Sequence, residues 1–422
     1  MLLLYADTSS LGATDFETYL WAVPKVGPVR WIRLAPSTRQ LSSDVRTLRE
    51  MMGVGPQTRG AAAFGSGTTG DRSARVLAKA HQLYEATLAG VADMIAGKDL
   101  VIVPSKKLAG LPFHLMVSQT PAASDDAYRD AHWLALDHAI TVLPSVAALD
   151  AAPAGDARVA GRTPYVGFAN PLLTGRDGTD RSAFARSGCA PAMEAETLVA
   201  SAELPETQSL FRGAMADVDA VRSLAPLPET TDEACAVAET LGAAPEAVRL
   251  GKDATEAEAK RMSEDGELAR ARILHFATHG LVSGELSGLA EPAIVLTPPD
   301  EPSREDDGLL TASEVTTLKL DADWVILSAC NTAAGDGGGE ALSGLARAFF
   351  YAGARALMVS HWPVNSDAAV RLATGAIGEI AADPSVDRAE ALRRAMVAEI
   401  KRGGRHADPA NWAPFILVGA SR

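Results

Sequence analysis

Short apolar runs alternate with segments of helical spacing from residue 229 to the end of the chain. The runs are AVRL, ARILHFATHG, PAIVLTP, WVILSAC, ARALMVSHWPV and FILVG, and helix-like stretches separate most of them. Regular alternation of strands and helices is typical of a mostly parallel sheet with helices on both faces. The sequence therefore predicts an α/β fold of that kind.

The first 150 residues carry further strand-like runs but a weaker pattern. The strands expected here are MLLLYA, TYLWAV, VRWIRL, LVIVPS, LAGLPFHLMV and HAITVLPS, with one helix from Ser42 and another over 74–97. The Pro/Gly/Ala-rich stretch 151–164 reads as a linker. We predict an N-terminal part over 1–155 and a second domain over 156–422, in which 174–228 is a long, partly ordered insertion.

Composition excludes several classes of protein. The 422 residues are 47% apolar and carry a net charge of −14, which disfavours nucleic acid and anionic membranes as partners. Neither a signal peptide nor an apolar stretch of 18 residues is apparent. The three cysteines are widely spaced, which argues against a disulfide framework and for a reducing compartment, so the cytoplasm is the expected location. The strand-like start suggests a fragment of a longer protein.

Two of the predicted strands end in groups that carry chemistry. ILHFATHG ends in His279 and Gly280, and WVILSAC ends in Cys330. Reactive groups of such sheets lie at the carboxyl ends of strands, and an imidazole beside a thiol raises its reactive fraction. We expect His279 as base and Cys330 as nucleophile. The backbone N–H groups of Gly280 and Cys330 are the expected donors to the oxyanion, and a Cβ at Gly280 would crowd the substrate.

Other interpretations of these residues stay open. A lone Cys330 is more often a core residue, and a lone His279 can be a turn residue. His275 and His279 form an HxxxH pattern, but residues four apart in a strand are too distant for one metal ion. No third ligand is apparent, so we expect no metal and no cofactor. The Gly-rich stretch 53–72 lacks the features of a phosphate-binding loop.

Several stretches together resemble the CHAT family, a bacterial branch of caspase-like and separase-like cysteine peptidases. They are RILHFATHG, DGLLTASEV, WVILSACNTAAG, GLARAFFYAGARALMVSHWPV and NWAPFILVG, with looser similarity in LVIVPSKKLAGLPFHLMV and HAITVLPSVAAL. The resemblance covers about residues 75 to 422. It implies a caspase-like fold, peptide hydrolysis through an acyl-enzyme on Cys330, and a degenerate protease-like N-terminal half that serves as a scaffold.

The resemblance also marks residues of a substrate cleft. Relatives specific for basic residues carry Asp two positions before the nucleophile, where this chain has Ser328. Asp336, Glu340 or Asp367 are alternative sources of negative charge, although each is also explained as a solvated residue. Trp362 is placed where caspase-like enzymes form a wall of the cleft, or else it is a packing aromatic.

Three functions compete at this point. The first is a cysteine endopeptidase that acts on a protein or peptide in a bacterial regulatory or defence pathway. The second is a catalytically silent scaffold or interaction module, and the third is another acyl-transfer enzyme, such as an amidase. CHAT relatives are often fused to tetratricopeptide or other sensor modules, so a sensor or repeat domain, upstream or in trans, is an expected partner.

Overall fold

The computed structural model describes most of the chain. The described residues are 1–8, 16–52, 69–122, 124–149, 161–175, 189, 211–212, 215–281, 291–328, 340–362, 364 and 366–421.

Within these residues, eleven strands form one sheet, in the order β3-β2-β1-β4-β5-β16-β15-β14-β10-β6-β9. Strands β11, β12 and β13 form a second sheet, and β7 and β8 form a short hairpin. The strands are β1 (Leu2–Asp7), β2 (Thr18–Val23), β3 (Arg30–Arg33), β4 (Leu100–Val103), β5 (Ile140–Val142), β6 (Thr163–Pro171), β7 (Phe211–Arg212), β8 (Met215–Ala216), β9 (Val248–Gly251), β10 (Ala271–Ala277), β11 (Gly280–Leu281), β12 (Ala293–Val295), β13 (Leu309–Thr311), β14 (Trp324–Leu327), β15 (Ala356–Ser360) and β16 (Phe415–Gly419).

The large sheet consists of two parallel sets that run in opposite directions. Strands β1, β4, β5 and β16 are parallel to one another. Strands β15, β14, β10, β6 and β9 form the second parallel set. The sets meet where β15 and β16 pair antiparallel, and β2 and β3 extend one edge as antiparallel strands. The prediction of a mostly parallel α/β sheet is therefore confirmed.

The helices of the described residues are α1 (Thr38–Met51), α2 (Thr69–Thr87), α3 (Ala92–Ile95), α4 (Ala127–Asp130), α5 (Leu134–Asp137), α6 (Val218–Arg222), α7 (Glu229–Thr240), α8 (Glu256–Glu264), α9 (Glu267–Arg270), α10 (Ala312–Val315), α11 (Glu340–Ala352), α12 (Ser366–Ala382), α13 (Arg388–Arg402) and α14 (Pro409–Trp412). Helices cover both faces of the large sheet, and α6 packs on the second sheet. Side chains of Ser37, Thr255 and Asp387 cap α1, α8 and α13 by accepting hydrogen bonds from backbone N–H groups, and Thr311 and Glu314 form a capping box on α10.

Alternating side chains of the central strands divide the core into two layers. In β14, Trp324 and Ile326 face the layer that includes residues of α1, α2, α7, α12 and α13. Val325 and Leu327 face the opposite layer, with residues of α8, α10 and α11. Because both faces of β14 are covered, this strand is apolar without interruption. The carboxyl ends of the central strands, where the candidate site was predicted, are therefore held on buried elements.

One expected strand and the bounds of two helices differ from the sequence-based expectation. The run LAGLPFHLMV contains no strand of the large sheet, since its central residues form a 3₁₀ turn over Phe113–Leu115 after Pro112. The helix expected over 74–97 ends at Thr87, and the chain reaches α3 through a second 3₁₀ turn. Gly90 in that turn has little room for a side chain, because a Cβ there would lie 2.7 Å from Ile32 Cδ1. α1 begins before Ser42, because Ser37 caps it.

The expectation of unpaired cysteines is wrong for two of the three. Cys189, in the insertion, forms a disulfide with Cys235 of α7, with the two Cα atoms 5.4 Å apart. The partners are 46 positions apart, and such a pairing has no local pattern in the sequence. The cytoplasmic location, which was inferred partly from unpaired thiols, stays a prediction. Among the described residues, no helix has the length and hydropathy needed to cross a membrane.

Candidate active site

The two strands that lead to the predicted catalytic residues are direct neighbours. β10 and β14 pair in parallel, with Ile273 opposite Trp324 and Phe276 opposite Leu327. The Ser328 N–H donates to the Phe276 carbonyl at 3.0 Å and so extends the ladder by one position. The carboxyl ends of both strands therefore lie at the same end of the sheet's strands.

His279 lies just beyond the end of β10 and is 3% exposed. Its Nε2 is 2.7 Å from the Ala225 carbonyl oxygen. A carbonyl only accepts hydrogen bonds, so Nε2 carries the proton and Nδ1 the lone pair in the neutral ring. Burial lowers the pKa of His279 below its usual value of 6.5, while the hydrogen bond to Ala225 opposes this shift. The neutral ring is the form that acts as a base.

Gly280 has a backbone N–H that points away from its neighbouring strand. Gly280 pairs with Ile294 in the β11–β12 ladder, and the Val295 N–H donates to the His279 carbonyl at 2.9 Å. This pattern makes Gly280 and Ile294 a non-hydrogen-bonded pair, in which N–H groups face outward. The Gly280 N–H is thus oriented to donate to an acceptor outside β12.

Of the remaining predicted site residues, some lie outside the described residues, some are buried and one is exposed. Cys330 and Asp336 lie outside the described residues. The Ser328 side-chain oxygen is buried and has no hydrogen-bond partner among the described atoms. Asp367 is exposed in the first turn of α12. Trp362 is 2% exposed and donates from Nε1 to the Ala410 carbonyl at 3.1 Å, so its buried ring gives no support to a role as a cleft wall.

His275 has partners that do not include His279. Its Nδ1 is 2.9 Å from the Tyr165 hydroxyl oxygen, and its Nε2 is 3.2 Å from Glu233 Oε1. All three side chains are buried under α7. This cluster gives no signal in the sequence, because Tyr165 and Glu233 are distant from His275 in the chain and carry no motif.

A large, mostly parallel mixed sheet with covered faces and a histidine at the carboxyl end of a central strand is consistent with a caspase-like α/β protein. The described sheet has these features. The chain belongs to the CHAT domain family, whose model matches residues 77–420. The expected family is therefore confirmed.

Two curated relatives are similar to part of the chain. Tetratricopeptide repeat protein 28 of Mus musculus is 30% identical over 231 residues, and the protein of that name from Homo sapiens is 29% identical over 230 residues. Each match covers 46% of this chain and 9% or 8% of the relative. The chain thus spans less than a tenth of the length of these relatives.

Proposed function

We propose that this protein is a cysteine endopeptidase that uses His279 and Cys330. The observation that carries the proposal is the register of β10 and β14. Each described pair, such as Ile273 with Trp324, joins residues 51 positions apart. His279 and Cys330 are separated by the same 51 positions in the sequence. This shared offset supports the proposal that both residues act at the carboxyl end of this strand pair.

Chain length limits the distance from Cys330 to this edge. Cys330 follows Ser328 by two residues, and two residues of chain span at most about 7 Å. Neighbouring strands are about 4.8 Å apart. These two limits support the proposal that the thiol acts near the residues that follow Ala277.

The chemistry follows from the state of His279. The lone pair at Nδ1 accepts the proton of the Cys330 thiol, and the thiolate attacks the carbonyl carbon of a substrate peptide bond. The oxyanion that forms is stabilised by the Gly280 N–H, with that of Cys330 as second donor. When the C–N bond breaks, the imidazolium gives its proton to the leaving amine. Water then hydrolyses the thioester with His279 as base and restores the thiol.

Substitution of the two side chains tests the proposal. We expect Cys330→Ala to abolish both labelling by an electrophilic peptide probe and cleavage of a peptide library. His279→Gln should lower both by about a hundredfold or more, because a general base contributes about that factor. His132→Gln is the matched control, since His132 is exposed. Unchanged labelling and cleavage in Cys330→Ala would refute the proposal.

The burial of His279 favours a second candidate, a silent scaffold or interaction module. A base that is 3% exposed needs an opening before substrate reaches it. If the wild-type protein neither reacts with the probe nor cleaves any library member, while its fold is intact, this second function is preferred. In either case we propose a protein or peptide as the partner.

A further inference from the structure

The disulfide between Cys189 and Cys235 joins the insertion to the middle of α7. Both cysteines are partly exposed, so a thiolate of another molecule has access to the bond. α7 itself packs against β6, β10 and α12. The bond is therefore open to thiol–disulfide exchange, while the helix that carries it covers the strand that leads to His279.

The segment before α7 carries the hydrogen-bond acceptor of the proposed base. The Ala225 carbonyl accepts from His279 Nε2 at 2.7 Å. Only residues 226–228 lie between Ala225 and Glu229, where α7 begins. A displacement of α7 therefore moves the carbonyl that orients His279.

The start of the insertion is fixed to the same segment. The Gly175 N–H donates to the Leu224 carbonyl at 3.0 Å, directly beside Ala225. Cys189 follows Gly175 by 14 positions, and the disulfide attaches it to α7. The chain from Gly175 to Cys189 is thus attached at both ends, beside Ala225 and on α7. Opening the bond releases one of these ends, so it weakens the hold on Leu224 and Ala225.

The inner face of α7 is held to the sheet less firmly than that of an apolar helix. Its first turn is joined to β6 by the Thr230 hydroxyl, which accepts from the Asn170 N–H at 2.9 Å. Farther along, Glu233 Oε1 and His275 Nε2 are 3.2 Å apart, but their geometry does not form a hydrogen bond. The Thr231 hydroxyl is likewise buried without a hydrogen-bond partner among the described residues. Such buried polar atoms disfavour the docked position of the helix, so a covalent bond that retains α7 matters here.

We infer that Cys189 and Cys235 form a reversible redox site that sets the reactivity of the proposed catalytic pair. The oxidised bond keeps α7, and with it the Ala225 carbonyl, in the position that orients His279. A protein dithiol of a reducing compartment opens the bond by exchange. One of its thiolates attacks a sulfur of the disulfide and forms a mixed disulfide, and its second thiolate then displaces the remaining cysteine.

The exchange transfers two electrons to the protein. Cys189 and Cys235 each take up one proton and become thiols, and the dithiol is oxidised to a disulfide. We expect the reduced form to be less reactive, because His279 is then oriented less firmly. The inference rests on the proposed function for its effect on Cys330, whereas its effect on α7 stands without that function.

Labelling of Cys330 tests the effect on reactivity. The double variant Cys189→Ser, Cys235→Ser imitates the reduced state and is compared with the wild type in one buffer without reductant. We expect an electrophilic peptide probe to label Cys330 at least about tenfold more slowly in the double variant, since a displacement of about 1 Å can cost a hundredfold. Ala236→Ser is the matched control, because it adds a serine to α7 at a partly exposed position and leaves the bond intact. Equal or faster labelling of the folded double variant would overturn the inference.

Reversibility distinguishes a redox site from a structural cross-link. Treatment of the wild type with dithiothreitol, followed by rapid desalting, should give the slow rate of the double variant. Re-formation of the bond in air should then restore the fast rate. Each rate is measured well below the thermal midpoint of the form concerned. A rate that does not change when the bond is opened and re-formed, as counted by mass, would refute the inference.

Hydrogen exchange separates this inference from the proposed function, because it needs no activity. Exchange is followed by mass spectrometry in Cys330→Ala with and without the two serine substitutions. We expect amides of residues 229–240 to exchange at least about tenfold faster without the bond, and those of residues 38–51 to be unchanged. That result supports the redox site even if the probe labels nothing in the wild type. Unchanged exchange over residues 229–240 refutes it even if the protein is a peptidase.

Discussion

Phe276 and Leu327 lie side by side in adjacent parallel strands, although 51 positions separate them in the chain. The two residues belong to the strands that lead to His279 and Cys330. Strands β11, β12 and β13 and helix α10 lie between the two strands in the chain.

The pH dependence of labelling should reflect the buried state of His279. Burial lowers the pKa of this histidine below 6.5, so the neutral base persists to lower pH than in an exposed histidine. We therefore expect the rate of labelling of Cys330 to fall only below pH 6.5 on the acid side. A rate profile from pH 4 to 9 measures this midpoint. A midpoint above pH 6.5 in a protein that stays folded would contradict the assignment of His279 as base.

The disulfide gives a simple count of thiols. The chain has three cysteines, and the structure pairs Cys189 with Cys235, so one thiol is expected in the unfolded, unreduced protein. Alkylation with mass measurement, before and after reduction, should give one and three modified cysteines. Closure of 46 residues stabilises the protein by about 4 kcal/mol in the chain-entropy model, so reduction should lower its thermal midpoint. Three modified cysteines before reduction would mean that the bond is absent.

His114 should make the stability of the protein depend on pH. It is buried, donates from Nε2 to the Ala413 carbonyl at 2.8 Å, and has a pKa lowered by burial to about 4. The unfolded chain takes up this proton near pH 6.5, so stability is fully present above pH 6.5 and is lost as the pH falls toward 4. The loss is about 3 kcal/mol.

Denaturant unfolding of His114→Gln at pH 7 and pH 5 measures this contribution. Glutamine keeps a donor for the Ala413 carbonyl but does not titrate. We expect the difference in unfolding free energy between the two pH values to be smaller in the variant than in the wild type. His132→Gln, at an exposed position, should leave the difference unchanged. The same pH dependence in His114→Gln and the wild type would show that another group is responsible.

Asp323 anchors the start of β14 through an ion cluster in which Asp323, Arg162 and Arg355 are largely buried and Arg272 is half exposed. It lies 3.1 Å from both Arg162 and Arg272 and 3.5 Å from Arg355. Removing one partner of a buried pair costs about 3–5 kcal/mol, so Asp323→Ala should lower the unfolding free energy by about that amount. Asp300→Ala, at a fully exposed position, should change it by less than about 0.5 kcal/mol. A loss as small as that of the control would mean that the cluster does not hold β14.

The central strands were predictable from sequence, and their partners across the sheet were not. β14 is apolar without interruption and β10 is apolar except for Arg272 and His275, so the local pattern indicates both strands. The place of β16 beside β5 depends on a pairing between residues 276 positions apart, Leu417 and Thr141. LAGLPFHLMV has the composition of a strand, but Pro112 cannot donate to a ladder.

The candidate site, like the fold, was predictable from sequence only in part. His279 and Gly280 follow an apolar run and are visible as a motif, and their role stays a prediction together with that of Cys330. Arg49 gives no signal in the sequence, since one arginine on an amphipathic helix is usually a solvated residue. Its hydrogen bond to His361, 312 positions away, is visible only in the structure. The division at 155 and the degenerate nature of the first half also stay predictions.

The position of β16 has a consequence for synthesis on the ribosome. Residues 140–142 and 356–360 each present an unpaired strand edge until residues 415–419 have emerged and inserted between them. During translation the nascent chain therefore exposes two unpaired strand edges, which promote aggregation and are natural binding sites for chaperones. Any activity that needs both parallel sets of strands begins only after β16 has inserted between β5 and β15.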